Sequence, residues 1–490
     1  MPAALSGDSL LVGASGYDHD RGLVYPFERT SAGWVSQPSV SRAEFQQGDL
    51  FGGALAIDGD TAIIASPEVN QQKGAAFIYQ RVNGQWQPGP ELVGSDVVAG
   101  DGFGNAVAIS GDTAIVGAPT KGTGAAYIFV RAGDAWTQQR KVASPASSQA
   151  FGVAVALDGD TALVGDKGTD HAKGLVWVLV RAKAKWSVQQ RIQPDGIQAK
   201  DMFGGAVSIS GDTAIASSVL FSDLERGAAY VFTRSAGVWT QQQRLIPSDD
   251  GQNHVFGWTV CVRGDRALVT APNEALGEER PGAAYLFTRY AGVWTEQQKL
   301  TPDVLPEPAI QDSGFGTAVA LGPHTAVVTR AAPLGLVYVF EEAETGGAPG
   351  APSGGVGGAP FGEAGNPPCE LGGIGNDSPT EQAGAGSAPP VDLVEGGRGG
   401  AASDSSEAIP PARNDGGAGQ ADSTGVAAGA PPATTGASGS SSSGCALRPA
   451  ASFPSRAGHE GELLVVAVGL VLVRGRGRRP WLRLRARARR

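Results

Sequence analysis

The sequence is poor in the residues that usually announce chemistry. Only five His and three Cys are spread over 490 residues. Cys261, Cys369 and Cys445 are too few for a disulfide framework. Cys261 stands where other copies of an internal repeat have Ser208 or Ala108, which suits a small buried thiol. His19, His171, His254, His324 and His459 form no zinc spacing. There is no Gly-x-Ser-x-Gly elbow and no phosphate-binding Gly-rich loop with Lys. Met1–Asp8 has neither a basic start nor an apolar stretch, so no leader is visible there. The longest apolar run, Leu463–Val473, falls short of the roughly twenty residues that span a bilayer. Positive charge is scarce as well. The net charge is −10, and nine of the 38 basic residues are Arg at or after position 474, which leaves 29 against 48 acidic ones. An acidic body excludes phosphate-neutralising contact with nucleic acid.

What the chain has in plenty is repetition. Phe-Gly pairs start at Phe51, Phe103, Phe151, Phe203, Phe256 and Phe315, at steps of 52, 48, 52, 53 and 59 residues. A period in this range means one supersecondary unit copied many times. In the copy from Phe103, bulky Phe103, Val107 and Ile109 alternate with small Gly104, Ala106 and Ala108. Such a strand suits a place between two neighbouring sheets, bulky flank on small flank. Ser110-Gly111-Asp112 has turn chemistry. Thr113–Ala118, Gly124–Arg131 and Ala135–Val142 read as three further strands. The third strand occurs seven times and the Trp strand recurs at Trp34, Trp86, Trp136, Trp186, Trp239 and Trp294. Four antiparallel strands per unit of about fifty residues predict an all-β fold, a seven-bladed β-propeller over residues 1–342. An open β-solenoid is the other arrangement such repeats allow.

Phe-Gly followed by Gly117-Ala118-Pro119 resembles the FG-GAP repeat, the unit of the integrin α-chain propeller and of many bacterial surface proteins. The resemblance covers residues 1–342. It implies a propeller and points away from an enzyme. Calcium-binding members carry an Asp-rich loop between the first two strands. Here that loop is only Asp58-Gly59-Asp60, Ser110-Gly111-Asp112 or a similar short turn, too few oxygens for a calcium cage, so no cofactor is expected. The Asp residues of these turns read as turn formers. Arg263-Gly264-Asp265 is one more such turn and not an adhesion tripeptide.

The last repeat ends at Glu342 without a Trp strand, and the first has no Phe-Gly strand before Leu5. In the integrin-like arrangement an N-terminal segment completes the last blade. A leader and about two strands, each of about five or six residues, are therefore expected upstream of Met1.

Antiparallel order puts the short Gly-Asp turns at one end of each blade and the loops of variable length at the other. Binding residues gather on variable loops held by a rigid scaffold, so the second end is the candidate binding face. Its acidic loop residues Asp49, Asp101, Asp201, Asp249, Asp250 and Asp312 are the candidate binding positions. No catalytic and no metal-binding residue is expected.

Residues 343–460, rich in Gly, Ala, Pro and Ser, are expected to form a disordered stalk. Residues 461–490 join the short apolar segment to an Arg-rich tail. Stalk, Gly444-Cys445, apolar run and Arg cluster resemble the MYXO-CTERM sorting tail, which implies export and processing near Gly444 and Cys445. The Cys lies farther from the apolar run than in that pattern. The functional expectation is a non-enzymatic protein at the cell surface, on the outer membrane or outside the cell. It would bind a protein or glycan partner and no nucleic acid, with membrane attachment through the tail. A propeller hydrolase or lyase with a central-channel site, or a structural envelope component, are the alternatives.

Overall fold

Alternating bulky and small residues, cut by Gly-Asp turns every few residues, leave the chain little choice but short antiparallel strands. The computed structural model describes residues 1–144, 148, 150–219, 227–249, 255–272, 282–302, 314–330, 335–342, 465–472 and 481–489. The stalk region and the Gly444-Cys445 site lie outside the described residues.

Seven antiparallel sheets succeed one another along the chain, six of them simple four-stranded up-and-down meanders and the seventh completed by strands from the C-terminal segment. Blade one holds β1 (Ala3–Ser6), β2 (Ser9–Ala14), β3 (Leu23–Thr30) and β4 (Gly33–Ser36). Blade two holds β5 (Ala54–Asp58), β6 (Thr61–Ser66), β7 (Ala75–Val82) and β8 (Gln85–Leu92). Blade three holds β9 (Ala106–Ser110), β10 (Thr113–Ala118), β11 (Ala125–Ala132) and β12 (Ala135–Ala143). Blade four holds β13 (Phe151–Asp158), β14 (Thr161–Asp166), β15 (Leu175–Ala182) and β16 (Lys185–Ile192). Blade five holds β17 (Val207–Ser210), β18 (Thr213–Ser218), β19 (Ala228–Ser235) and β20 (Val238–Leu245). Blade six holds β21 (Val260–Arg263), β22 (Arg266–Ala271), β23 (Ala283–Tyr290) and β24 (Val293–Leu300). Blade seven starts with β25 (Phe315–Leu321), β26 (Thr325–Arg330) and β27 (Leu336–Glu342). The fold is an all-β, seven-bladed propeller ring of four-stranded antiparallel blades.

The expected packing of bulky flank on small flank is present. Phe103, Val107 and Ile109 of blade three bury against Ala54 and Ala56 of blade two. On its other side, Ala106 and Ala108 meet Phe151, Val155 and Leu157 of blade four. Burying each such large side chain contributes about 1.5–3 kcal/mol. The Phe rings also meet an aromatic of the third strand edge-on, as in Phe103–Tyr127 at 5.4 Å and Phe151–Trp177 at 5.3 Å. Cys261 lies fully buried beside Leu268 and Leu286, but it is disulfide-bonded and not the free thiol its repeat position suggests.

The Phe-Gly signature has a backbone cause. The residue before each third strand makes a parallel bridge to the Phe of the next blade: Gly22 to Phe51, Gly74 to Phe103, Gly124 to Phe151, Gly174 to Phe203 and Gly227 to Phe256. A Cβ on Gly74 would sit 1.9 Å from the Phe103 carbonyl oxygen, so only Gly permits the approach. The first Gly of Gly-Ala-Pro is similarly placed, since a Cβ on Gly117 would lie 2.0 Å from the Gly152 carbonyl.

The ring closes where blade one meets blade seven. Leu5, Leu10 and Val12 pack with Ala320, Val327 and Val339. Thr329 Oγ1 donates to the Met1 carbonyl at 2.8 Å, and Trp34 Nε1 to Glu341 Oε1 at 3.2 Å. The fourth place in blade seven, left by the sequence reading for a strand upstream of Met1, is taken by the C-terminal segment. β28 (Val465–Leu472) and β29 (Trp481–Arg489) form a hairpin, and β29 pairs antiparallel with β27, Val339 opposite Leu484. In sequence, Leu482, Leu484, Ala486 and Ala488 alternate with Arg483, Arg485, Arg487 and Arg489, the period of a strand.

Candidate functional site

At the short-turn end the loops are occupied with one another. The residue before Gly-Asp does not bond its own turn, as a simple turn former would. It accepts from the Gly N–H of the next blade. Gly59 N donates to Ser6 Oγ at 3.0 Å, Gly111 N to Asp58 Oδ2 at 2.7 Å, and Gly159 N to Ser110 Oγ at 3.0 Å. The series continues with Gly211 N to Asp158 Oδ2 at 2.5 Å and Gly264 N to Ser210 Oγ at 3.0 Å. It stops at blade six, where Arg263 replaces the acceptor and Arg266 Nη1 instead donates to the Pro323 carbonyl at 2.6 Å. In blades two, four, five and six the Asp of the turn binds the Arg near the end of its own third strand: Arg81 to Asp60, Arg181 to Asp160, Arg234 to Asp212 and Arg289 to Asp265; in blade three Asp112 pairs with Arg181 of the next blade at 2.9 Å. The following Thr accepts from the Arg of the next blade, as Thr113 does from Arg181 at 2.9 Å and Thr161 from Arg234 at 2.7 Å. Every residue of Ser-Gly-Asp-Thr thus has an internal partner. Arg263-Gly264-Asp265 is no exception, with Gly264 N on Ser210 and Asp265 on Arg289.

The opposite end is built differently. In three blades the loop between second and third strands makes a left-handed turn on consecutive non-Gly residues: Asp18-His19-Asp20, Asn70-Gln71-Gln72 and Asp170-His171-Ala172, with φ between 49° and 66°. Each such residue costs about 1–2 kcal/mol. The strain is offset by backbone hydrogen bonds from the loop entering the next blade, for example Gly48 N to His19 O, Leu50 N to Asp20 O and Phe51 N to Arg21 O at 3.2, 2.7 and 3.1 Å. The turn pushes its side chains outward. His19 and His171 are 78% and 89% exposed, each 3.5 Å from its neighbouring carboxylate, Asp18 or Asp170. They stand on blades one and four.

The six acidic candidates fall into three groups. Asp49, Asp101 and Asp201 each accept from the backbone N–H three residues earlier, from Gln46, Val98 and Gln198 at 2.6, 2.8 and 2.7 Å. Asp101 and Asp201 are buried, and Asp101 also pairs with Lys121 at 2.6 Å. Asp249 accepts from the Tyr285 hydroxyl at 3.0 Å and pairs with Lys299. Asp250 and Asp312 lie outside the described residues. The structure does not gather the four described carboxylates into one cluster; each belongs to the loop entering a different blade.

Sequence reasoning missed the outer locks to which Asp249 belongs. In blade three the Tyr127 hydroxyl donates to Asp96 Oδ1 at 2.7 Å and Lys141 Nζ reaches Asp96 Oδ2 at 2.6 Å. Lys141 and Tyr127 hold Asp96 below the ordinary carboxylate range. Burial, reinforced by Asp96, pushes the Tyr127 phenol far up, and burial with Asp249 does the same to Tyr285. Asp166 was missed too. It lies fully buried in β14, accepting from Ser144 Oγ at 3.2 Å and from Ser148 Oγ, and burial raises its pKa. Its place follows Gly165, where blade three has the Ala of Gly-Ala-Pro, so the departure was visible in the repeat. Among the described residues no group of His, Cys, Asp and Glu gathers as metal ligands.

A ring of seven meanders joined by Phe-Gly contacts defines a β-propeller of the repeat type. Residues 86–129, 186–232 and 239–287 match the family model described as FG-GAP repeat. The chain carries FG-GAP repeats on a seven-bladed β-propeller. A comparison with curated proteins returns no match.

Proposed function

We propose that this protein is a non-enzymatic, exported surface protein that binds a protein or glycan partner through the variable-loop face of its propeller. The observation that carries the reading is the contrast between the two ends. One end commits its turn residues to partners inside the ring. The other holds loops of unlike sequence, with exposed side chains such as Tyr17, His19 and His171 on left-handed turns that the next blade braces. A stiff scaffold with variable, outward-facing loops is the usual arrangement for recognition. FG-GAP repeats are often found in extracellular or surface proteins, which favours display. The MYXO-CTERM-like tail is the proposed route, with Gly444 and Cys445 near the processing point; cleavage there would take β28 and β29 away from blade seven after export. No helix among the described residues is long and apolar enough to cross a membrane. The enzymatic alternative, a hydrolase or lyase with a central-channel site, would need converging titratable groups there.

Surface proteolysis of intact producing cells tests the proposal. Loss of the full-length chain from intact cells, with a cytoplasmic marker untouched, is expected. Protection until lysis would refute display. Immobilising the full chain on glycan and protein arrays then reads the binding face.

A further inference from the structure

In six blades the outer strand follows the third across a two-residue turn and sets a Trp opposite the Arg that is second to last in that strand. Trp34 stands opposite Arg29, Trp86 opposite Arg81, Trp136 opposite Arg131, Trp186 opposite Arg181, Trp239 opposite Arg234 and Trp294 opposite Arg289. In blade seven the chain leaves β27 at Glu342, and the described strand that pairs with its outer edge is β29. That strand sets Trp481 opposite Glu342, in the same place. A second position agrees. In blades three to six a basic residue stands opposite the first aromatic of the third strand: Lys141 opposite Tyr127, Arg191 opposite Trp177, Arg244 opposite Tyr230 and Lys299 opposite Tyr285. β29 sets Arg485 opposite Tyr338. The other outer strands carry a bulge residue between the two positions, so the base comes five places after the Trp. β29 pairs without a shift, and its base comes four places after. The C-terminal segment is no copy of the repeat, yet it keeps the register of an outer strand.

Charge is reversed with the occupant. Glu341 and Glu342 hold the places of Thr288 and Arg289, and the strand opposite carries Arg483, Arg485, Arg487 and Arg489 where β24 has Glu296 and Gln298. Acid on the third strand and base on the outer one suit each other as cross-strand neighbours. The tether differs as well. The other six outer strands belong to tight hairpins, whereas β29 is joined to β27 only through residues 343–480. Once that connection is cut and the hairpin lost, β27 is a bare sheet edge, with a row of unpaired N–H and C=O groups that templates another strand.

We propose that the outer edge of β27 is a docking site for a strand of a partner protein, an extended basic segment with an aromatic residue at its head and Arg or Lys four places on, and that β29 fills the site as a stand-in until the tail is processed. Main-chain pairing supplies the affinity in such strand addition, and the side-chain positions supply the choice. The acidic pair at Glu341 and Glu342 favours a basic strand over the acidic and neutral ones that the rest of this chain offers. The inference deepens the protein arm of the reading above and rests on it for the cut near Gly444 and Cys445. Proteolysis of intact cells reads display, and a titration of the purified chain reads the edge, so either can fail without the other.

The test uses the full chain with a protease recognition sequence inserted after Gly444. The cleaved C-terminal piece is removed by gel filtration, and fluorescence anisotropy follows a labelled peptide of residues 480–490. The peptide is expected to bind the cleaved chain at least tenfold more tightly than the intact one. Peptides carrying Trp481→Ala or Arg485→Glu should each bind at least fivefold more weakly. Glu342→Arg in the cleaved chain installs the residue that blades one to six carry there; it should weaken the unchanged peptide at least fivefold and leave the melting temperature where it was. A scrambled peptide of the same composition that binds equally well would overturn the two-position rule. Dimers of the cleaved chain that the peptide does not disperse would overturn the partner assignment in favour of a second copy. Absence of peptide binding, equal binding to intact and cleaved chains, or a C-terminal piece that stays with the propeller after the cut would overturn the site.

Discussion

Two glycines of blade two provide a direct test of how the blades are joined. Gly59 and Gly74 both have positive φ, 56° and 78°. At Gly59 an added Cβ meets nothing within 4 Å, whereas at Gly74 it meets Phe103 O at 1.9 Å and Phe103 N at 2.6 Å. Gly59→Ala carries only the strain of a left-handed L residue, about 1–2 kcal/mol. That is partly offset by about 0.4–1 kcal/mol through a less flexible unfolded chain. Its net cost should be about 1 kcal/mol or less. Gly74→Ala adds a collision with backbone that cannot yield without breaking Gly102 N to Gln72 O and Phe103 N to Lys73 O, 2.7 and 3.0 Å long. Leaving those buried groups unpaired costs about 1–3 kcal/mol each, so the total should reach about 3–6 kcal/mol. Urea unfolding followed by Trp fluorescence reads both variants. Equal midpoints for the two would refute the claim that close backbone approach, and not turn conformation, makes this Gly obligatory.

Other expectations follow from the same contacts. Ser110→Ala removes the acceptor for Gly159 N and should cost about 1 kcal/mol, whereas Ser110→Asp, the residue at the same place in blades two and four, should restore it; failure of the rescue in urea unfolding would speak against the inter-blade ring. Asp166 has its pKa raised by burial, so its contribution to stability is full below the unfolded carboxylate pKa and is lost as pH rises through the folded value. Asp166→Asn should therefore flatten the decline in melting temperature over that window relative to wild type, and parallel curves would rule the effect out. Tyr127→Phe should leave the phenolate absorbance gained up to pH 11 unchanged, because this Tyr stays protonated there; a drop by one phenolate's worth would show that it titrates normally.

Much of the propeller could be read from the chain because each blade repeats one grammar. The seven third strands, the Phe-Gly entry and the bulky and small flanks of β9 all follow from residues a few positions apart. What joins blades did not show in the same way. Ser110 looks like a turn residue because its partner, Gly159, lies 49 positions on in another copy. The left-handed turn at Asp18–Asp20 depends on hydrogen bonds from a loop beyond Gly48, which no local propensity encodes. β29 was hidden by composition. Its Arg content drew attention to sorting, while the alternation with Leu and Ala carried the strand signal. For the binding face, the Asp before Phe-Gly was visible as a recurring position. Its bond to the backbone three residues earlier makes it part of the loop's own framework, and only the neighbours in space reveal that.

The stitching between turns runs in one direction around the ring. Blades one to five each offer an acceptor to the Gly of the blade that follows, so the same join recurs along the ring. Units that join head to tail either close on themselves or go on adding members without limit. Here the seam supplies the stop. Arg263 withholds the acceptor at the sixth position, and Trp34 and Arg29 of the first blade reach Glu341 of the last.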